Sequence, residues 1–264
     1  MSALRRFILR DLRGVKGYLD PADAFLFLSV LEGQSQGKKS GGLAEIGVYY
    51  GRSFFLLRKM AKDGEQVLGI DTFDIGGMED GLPVQMRAFM EYGKKIGMSV
   101  DREQIICGDS TKLSPESVLS KVGPVRFFSI DGGHLLGHVR ADSVLARDSL
   151  AEFGVIAFDD SFNPEWPEVT IGIIDFLRAN KDTHSVFCIT DKKTYVCKRS
   201  FLDFYKGTVR SSPHLRPFEI SNVEILGTPA VRVHHQIKRR IAYEVMIRAG
   251  AGALSGLAYG PMAS

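Results

Sequence analysis

The stretch AEIGVYYGRSFFLL, residues 44–57, runs as a short apolar strand, breaks at Gly47, crosses a tight loop to Gly51 and enters an amphipathic helix. A strand that turns this sharply into a helix leaves the first helical amides pointing into open space, and together with the helix dipole they favour an anionic or oxygen-rich ligand. The dinucleotide fingerprint needs a second glycine two residues after the first, where the backbone meets a pyrophosphate. That position holds Tyr49, which disfavours a pyrophosphate and with it a nicotinamide dehydrogenase. Glu45 puts a carboxylate near the strand's exit, where it either accepts hydrogen bonds from a ligand's ammonium group or holds the loop. A βα turn with no ligand is the alternative.

Outward from this stretch, strand-like runs near 43–47, 66–71, 104–107, 125–130 and 154–159 alternate with helix-like segments near 52–62, 83–97, 135–152 and 167–180. The alternation predicts an α/β fold, a doubly wound, mostly parallel sheet with helices on both faces. The runs SVFCIT and TYVCKR, separated by DKK, predict a terminal antiparallel hairpin. Residues 1–40 read as a peripheral helical extension, with Asp20 and Pro21 as a helix start, and EGQSQGKKSGG as a flexible linker into the sheet. Residues 41–198 form the domain. Residues 199–264 are a C-terminal extension with a helix near 234–249 and a loosely held tail, AGAGALSGLAYGPMAS.

With 264 residues, 44% hydrophobic and 25% charged, the chain has the composition of a soluble domain with one substantial core. A net charge of +3 argues against a dedicated nucleic-acid binder, and the basic HHQIKRR, 234–240, reads as a solvated helix face. Cys107, Cys188 and Cys197 sit in apolar β-like runs without metal spacing, as buried thiols of a reducing, cytoplasmic compartment would. The best apolar stretch, AFLFLSVL at 24–31, is too short to span a bilayer.

In open α/β sheets ligands bind at the carboxyl ends of the strands. The second strand ends at Asp71, twenty residues after Gly51, where an acid can accept both hydroxyl hydrogens of a ribose or cap the next loop. The third ends in Asp109 and Ser110, suited to an adenine edge and equally to a turn. The fourth ends in Asp131, with His134 on the following turn, and the fifth in Asp159 and Asp160. Three carboxylates converging on one rim are costly unless protons or a cation neutralise them, and oxygen donors suit Mg²⁺, Ca²⁺ or Mn²⁺ better than zinc. The alternative is that the acids cap the next segment and His134 packs passively. His134 and His138 stand four apart, but the other histidines and the cysteines add no zinc spacing.

Through EIGVYYGRS, GIDTFD, CGDS, IDGGH and FDDSFNPEWPEV the chain, over about 41–198, resembles the class I S-adenosylmethionine-dependent methyltransferases. It is most similar to the metal-dependent sugar and natural-product O-methyltransferases of the macrocin and mycinamicin type and the related cephalosporin hydroxylase-like proteins. The resemblance implies a Rossmann-like, seven-stranded sheet. It also implies S-adenosylmethionine held by Glu45, Gly47, Gly51, Ser53, Asp71, Asp109, Ser110 and Asp131. Mg²⁺ would be held by Asp131, Asp159 and Asp160, with His134 as the base. The expected acceptor is a hydroxyl of a polyhydroxylated small molecule, and self-association through the terminal extensions is a further expectation. A metal-independent methyltransferase and a non-catalytic S-adenosylmethionine- or nucleotide-binding partner protein are the alternatives.

Overall fold

The computed structural model describes residues 3–259. The chain opens with α1 (Ala3–Leu9) and α2 (Pro21–Gln36), then β1 (Gly42–Ile46), α3 (Arg52–Met60) and β2 (Val67–Asp71). A small hairpin, β3 (Met78–Glu79) and β4 (Leu82–Pro83), leads into α4 (Val84–Lys95), β5 (Ile105–Cys107) and α5 (Pro115–Val122). There follow β6 (Val125–Ile130), α6 (Leu136–Ser149), β7 (Leu150–Phe158) and α7 (Pro167–Ala179). The chain closes with β8 (His184–Ile189), β9 (Thr194–Lys198), α8 (Leu202–Ser211), β10 (Phe218–Ile225), β11 (Thr228–His235), α9 (Ile237–Arg248) and a 3-10 segment, Gly252–Tyr259.

Nine strands share one sheet in the order β10-β11-β8-β9-β7-β6-β1-β2-β5. Parallel pairing joins β7, β6, β1, β2 and β5, and β9 inserts antiparallel between β7 and β8. The parallel strands are buried on both faces, so they need apolar residues at every position rather than at alternate ones. In β6, Phe127 joins a core with α2, α3, α4 and α8, while Phe128 joins one with α5, α6 and α7.

The expected seven-stranded sheet is present but extended to nine. β10 and β11 form a hairpin whose turn residues, Leu226 and Gly227, both have positive φ, and β11 adds parallel to β8. The N-terminal extension is not peripheral, because Phe25, Leu26, Phe27 and Leu28 of α2 are fully buried against the sheet. Nor is the whole of EGQSQGKKSGG a linker: α2 continues through Gln36, and buried Gln34 accepts from Arg126 Nη1 at 2.8 Å and donates to the Arg126 carbonyl at 2.8 Å. Cys107 is exposed, since β5 is an edge strand, whereas Cys188 and Cys197 are buried as expected. The tail is held as far as Tyr259, which is fully buried with its hydroxyl 2.6 Å from His235 Nδ1; the last five residues lie outside the described ones.

Candidate active site

Gly47 turns the chain out of β1 at φ +83°, and a Cβ there would stand 1.7 Å from the Asp131 carbonyl oxygen. Only glycine fits, because the loops leaving β1 and β6 touch: Asp131 N donates to the Ile46 carbonyl at 2.8 Å and Gly47 N to the Ile70 carbonyl at 2.9 Å. Tyr49, also left-handed at φ 53°, donates its amide to Asp71 Oδ2 at 2.7 Å, while Asp71 Oδ1 accepts from Phe73 N at 2.7 Å. The carboxylate thus clamps two loops, although burial pushes its pKa above the ordinary value. Gln85 of α4 braces both loops again, accepting from Ile75 N at 3.1 Å and donating to the Tyr49 carbonyl at 3.0 Å.

These loops rim a cavity of about 1350 Å³ at the carboxyl ends of the central strands. Gly47, Ser53, Asp71, Asp109 and Ser110 line its β1–β2–β5 part, and Asp131, His134, Asp159 and Asp160 its β6–β7 part. Two expected site residues do not line it. Glu45 is fully buried behind the wall with neither carboxylate oxygen hydrogen-bonded, and burial pushes its pKa up to about 8 against the pull of the Ser53 hydroxyl and the Lys193 ammonium. Gly51 is the N-cap of α3 and packs beneath the Phe89 ring, so it shapes the loop from behind. Asp109 spends one oxygen on Thr111, bonding its amide at 2.9 Å and its hydroxyl at 2.7 Å, and so caps the 3-10 turn Ser110–Lys112 while facing the cavity.

The acids after β6 and β7 are divided between two partners. Asp159 is ion-paired with Lys193 Nζ, and its pKa lies below the ordinary carboxylate value: burial works against the charge, but the ammonium and hydrogen bonds overcome it. Asp131 goes the other way, raised well above that value by burial and by the neighbouring Asp159 charge. Asp160 sits at φ 51° and accepts from Asn163 Nδ2 at 2.7 Å, and its Oδ2 lies 3.1 Å from His134 Nε2. The His134 ring stacks on Trp166, with centroids 4.2 Å apart and planes 12° apart. Ligand atoms of Asp131, His134 and Asp160 all lie within 4.8 Å of one another. Of the three carboxylates expected from the sequence, Asp131 and Asp160 belong to this group, and Asp159 stands beside Asp131. Asp159 is taken by Lys193, and His134 joins the other two acids.

The fold is similar to that of the O-methyltransferase NovP, whose structure superposes with a TM-score of 0.52 at 15% identity, covering 65% of this chain and 78% of that one. Residues 44–161 match the family described as a methyltransferase domain. Over this stretch the chain is similar to that family, and the likeness to NovP extends to the Rossmann-like α/β fold. Looser superpositions relate the chain to CalS11, a TDP-rhamnose 3'-O-methyltransferase of calicheamicin biosynthesis (TM-score 0.47, 20% identity, 65% of this chain and 75% of that one). MycE of mycinamycin biosynthesis, solved with Mg and SAH, is similar at TM-score 0.47 and 18% identity, over 69% of this chain and 51% of that one. No curated protein matches the sequence.

Several cavity residues come from outside the matched stretch, 44–161, and are not among the site residues expected from the sequence. Lys193 sits in the β8–β9 turn, and because Thr194 pairs with Phe158, that turn opens beside Asp159. Placing the DKK hairpin antiparallel beside the fifth strand would have found it. Asp23 of α2 accepts from Thr190 Oγ1 at 2.7 Å and Tyr195 Oη at 2.8 Å, and burial raises its pKa to about 7. The two extensions meet at Asp20, which lies 2.8 Å from His235 Nε2 and 3.1 Å from Arg240 Nη1. Tyr18, Arg240 and Tyr243 then wall the cavity, so HHQIKRR is not simply a solvated face.

Proposed function

We propose that the chain is an S-adenosylmethionine-dependent O-methyltransferase acting on a hydroxyl of a polyhydroxylated small molecule, a sugar moiety or a catechol-like ring. The observation that carries this reading is the grouping of Asp131, His134 and Asp160 in the same cavity as the Gly47 loop and Asp71. The cavity fits the cofactor. Gly47 keeps the loop free of a side chain, Asp71 presents acceptor oxygens, and the surplus of carboxylates over Lys193 favours a cationic guest. When bound, S-adenosylmethionine supplies an activated sulfonium methyl.

The chain's own residues orient the acceptor and move a proton. With Nε2–H donated to Asp160, the Nδ1 lone pair of His134 is left to accept the acceptor's hydroxyl proton, and Asp160 stabilises the resulting imidazolium. Stacking on Trp166 fixes the ring plane for that transfer. In a metal-dependent reaction Asp131, Asp160 and His134 would instead hold Mg²⁺ or Mn²⁺, which two carboxylates and one imidazole fit, and the ion would supply Lewis acidity toward the acceptor oxygen in place of the His134 base. A metal-independent reaction is the second reading, favoured by the Lys193–Asp159 pair, which already places a cation among the acids.

The test is transfer of labelled methyl from S-adenosylmethionine to a panel of vicinal diols and catechols, with and without EDTA. Transfer abolished by EDTA and restored by Mg²⁺ supports the metal site, whereas transfer indifferent to EDTA leaves the His134–Asp160 pair to act alone. Failure of S-adenosylhomocysteine to bind in calorimetry would overturn the assignment altogether.

A further inference from the structure

The outer face of α9 is apolar where a surface helix should be polar. Ile237, Ile241 and Val245, spaced i, i+4 and i+8, are 74%, 58% and 59% exposed, so they form one stripe. Exposed Lys238 and Arg248 flank it on the same side of the helix, while buried Tyr243 marks the opposite side. The 3-10 segment packed on α9 adds Leu254 and Leu257, 57% and 63% exposed, and α1, packed on that segment, adds exposed Arg6 and Arg10. Isolated exposed hydrophobes need no explanation, but a stripe of five on two touching elements does.

Charge decides what covers it. Residues 3–10 and 237–248 together hold seven basic residues and one acidic one, net +6, whereas the whole chain is only +3; the remainder is therefore −3. An isologous pairing of two copies through this face would set Lys238, Arg248, Arg6 and Arg10 close to the same groups of the partner copy. An anionic bilayer removes that conflict: the aliphatic stripe enters the headgroup region and the basic flank meets lipid phosphates. Among the described residues no helix is long and apolar enough to cross a membrane, so the contact is superficial.

We propose that the α9 corner docks on anionic membrane surfaces, with Ile237, Ile241, Val245, Leu254 and Leu257 as the inserted residues. Tyr243, Arg240 and Ile247 of the same helix line the cavity from the helix's other side, so docking would hold the cavity about one helix away from the lipid surface. The docking itself stands whether or not the methyl-transfer reading holds, and the following measurement does not use activity.

The full chain is mixed with phosphatidylcholine vesicles with and without phosphatidylglycerol, and floated on a density gradient. Binding should require phosphatidylglycerol and fall with added salt. Lys238→Glu with Arg248→Glu should weaken it roughly tenfold or more. Ile237→Ser, Ile241→Ser and Val245→Ser together should abolish it with the melting temperature unchanged. A wild type that stays off phosphatidylglycerol vesicles overturns the proposal. So does a wild-type dimer that the triple variant converts to monomer, because a second copy then covers the face.

Discussion

Replacing Lys193 by Met keeps the length of the side chain and removes the cation ion-paired with Asp159, whose carboxylate is only 16% exposed. Leaving a buried charge without its partner costs about 3–5 kcal/mol, and this partial exposure argues for the lower end, about 3 kcal/mol. For a chain of this size that lowers the melting temperature by roughly 6–12 °C. The effect depends on pH, and its sign follows from the two carboxylate states. In the wild type Asp159 is held below its ordinary value of 3.8, so its stabilisation is present above that value and is lost as the pH falls through the folded pKa. In Lys193→Met burial is opposed only by the remaining hydrogen bonds and raises the pKa, so stability is present at low pH and lost as the pH rises through the new value. The gap between variant and wild type should therefore widen as the pH rises from below 3.8 through the variant's raised value. Adding Asp159→Asn to the variant should recover at least half of the loss. Differential scanning calorimetry at several pH values reads all three outcomes. A gap that does not change with pH, or a double variant no better than the single one, would refute the electrostatic account of this pair.

Gly47→Ala should destabilise the chain by about 2–5 kcal/mol, the sum of a left-handed alanine and its overlap with the Asp131 carbonyl, as measured by urea unfolding. Asp71→Asn should weaken S-adenosylhomocysteine binding roughly ten- to hundredfold in calorimetry, the scale of a charge-assisted hydrogen bond; unchanged affinity would remove Asp71 from the ribose site. His134→Ala should lower turnover by about 10²-fold or more while cofactor affinity holds, and full activity in that variant would make His134 a packing residue.

The parallel core was legible because its signal is local: apolar runs such as VRFFSI mark strands buried on both faces, and Gly47 marks the turn that follows. The acids at the strand ends were legible for the same reason, since strand direction alone places them. What escaped depended on partners distant in sequence. Gln34 looked like linker because its neighbours are polar, yet Arg126, ninety-two residues on, buries it. Lys193 belongs to the DKK turn of the expected hairpin, and only the pairing of that hairpin with β7 sets it beside Asp159. Residues 218–235 alternate too weakly to announce strands, and edge addition to β8 rather than their own pattern gives them a place in the sheet.

The junction at Asp20 also bears on when the molecule becomes competent. Its contacts with His235 and Arg240 join residues more than two hundred apart, and Tyr243, three residues further on, is part of the cavity wall. A chain made from its N-terminus can pair β1, β2 and β6 early, but the chamber stays open on one side until α9 has left the ribosome exit tunnel. The pocket thus closes only after the central sheet is complete, and a nascent chain halted within β11 would carry a folded central sheet with an unfinished pocket.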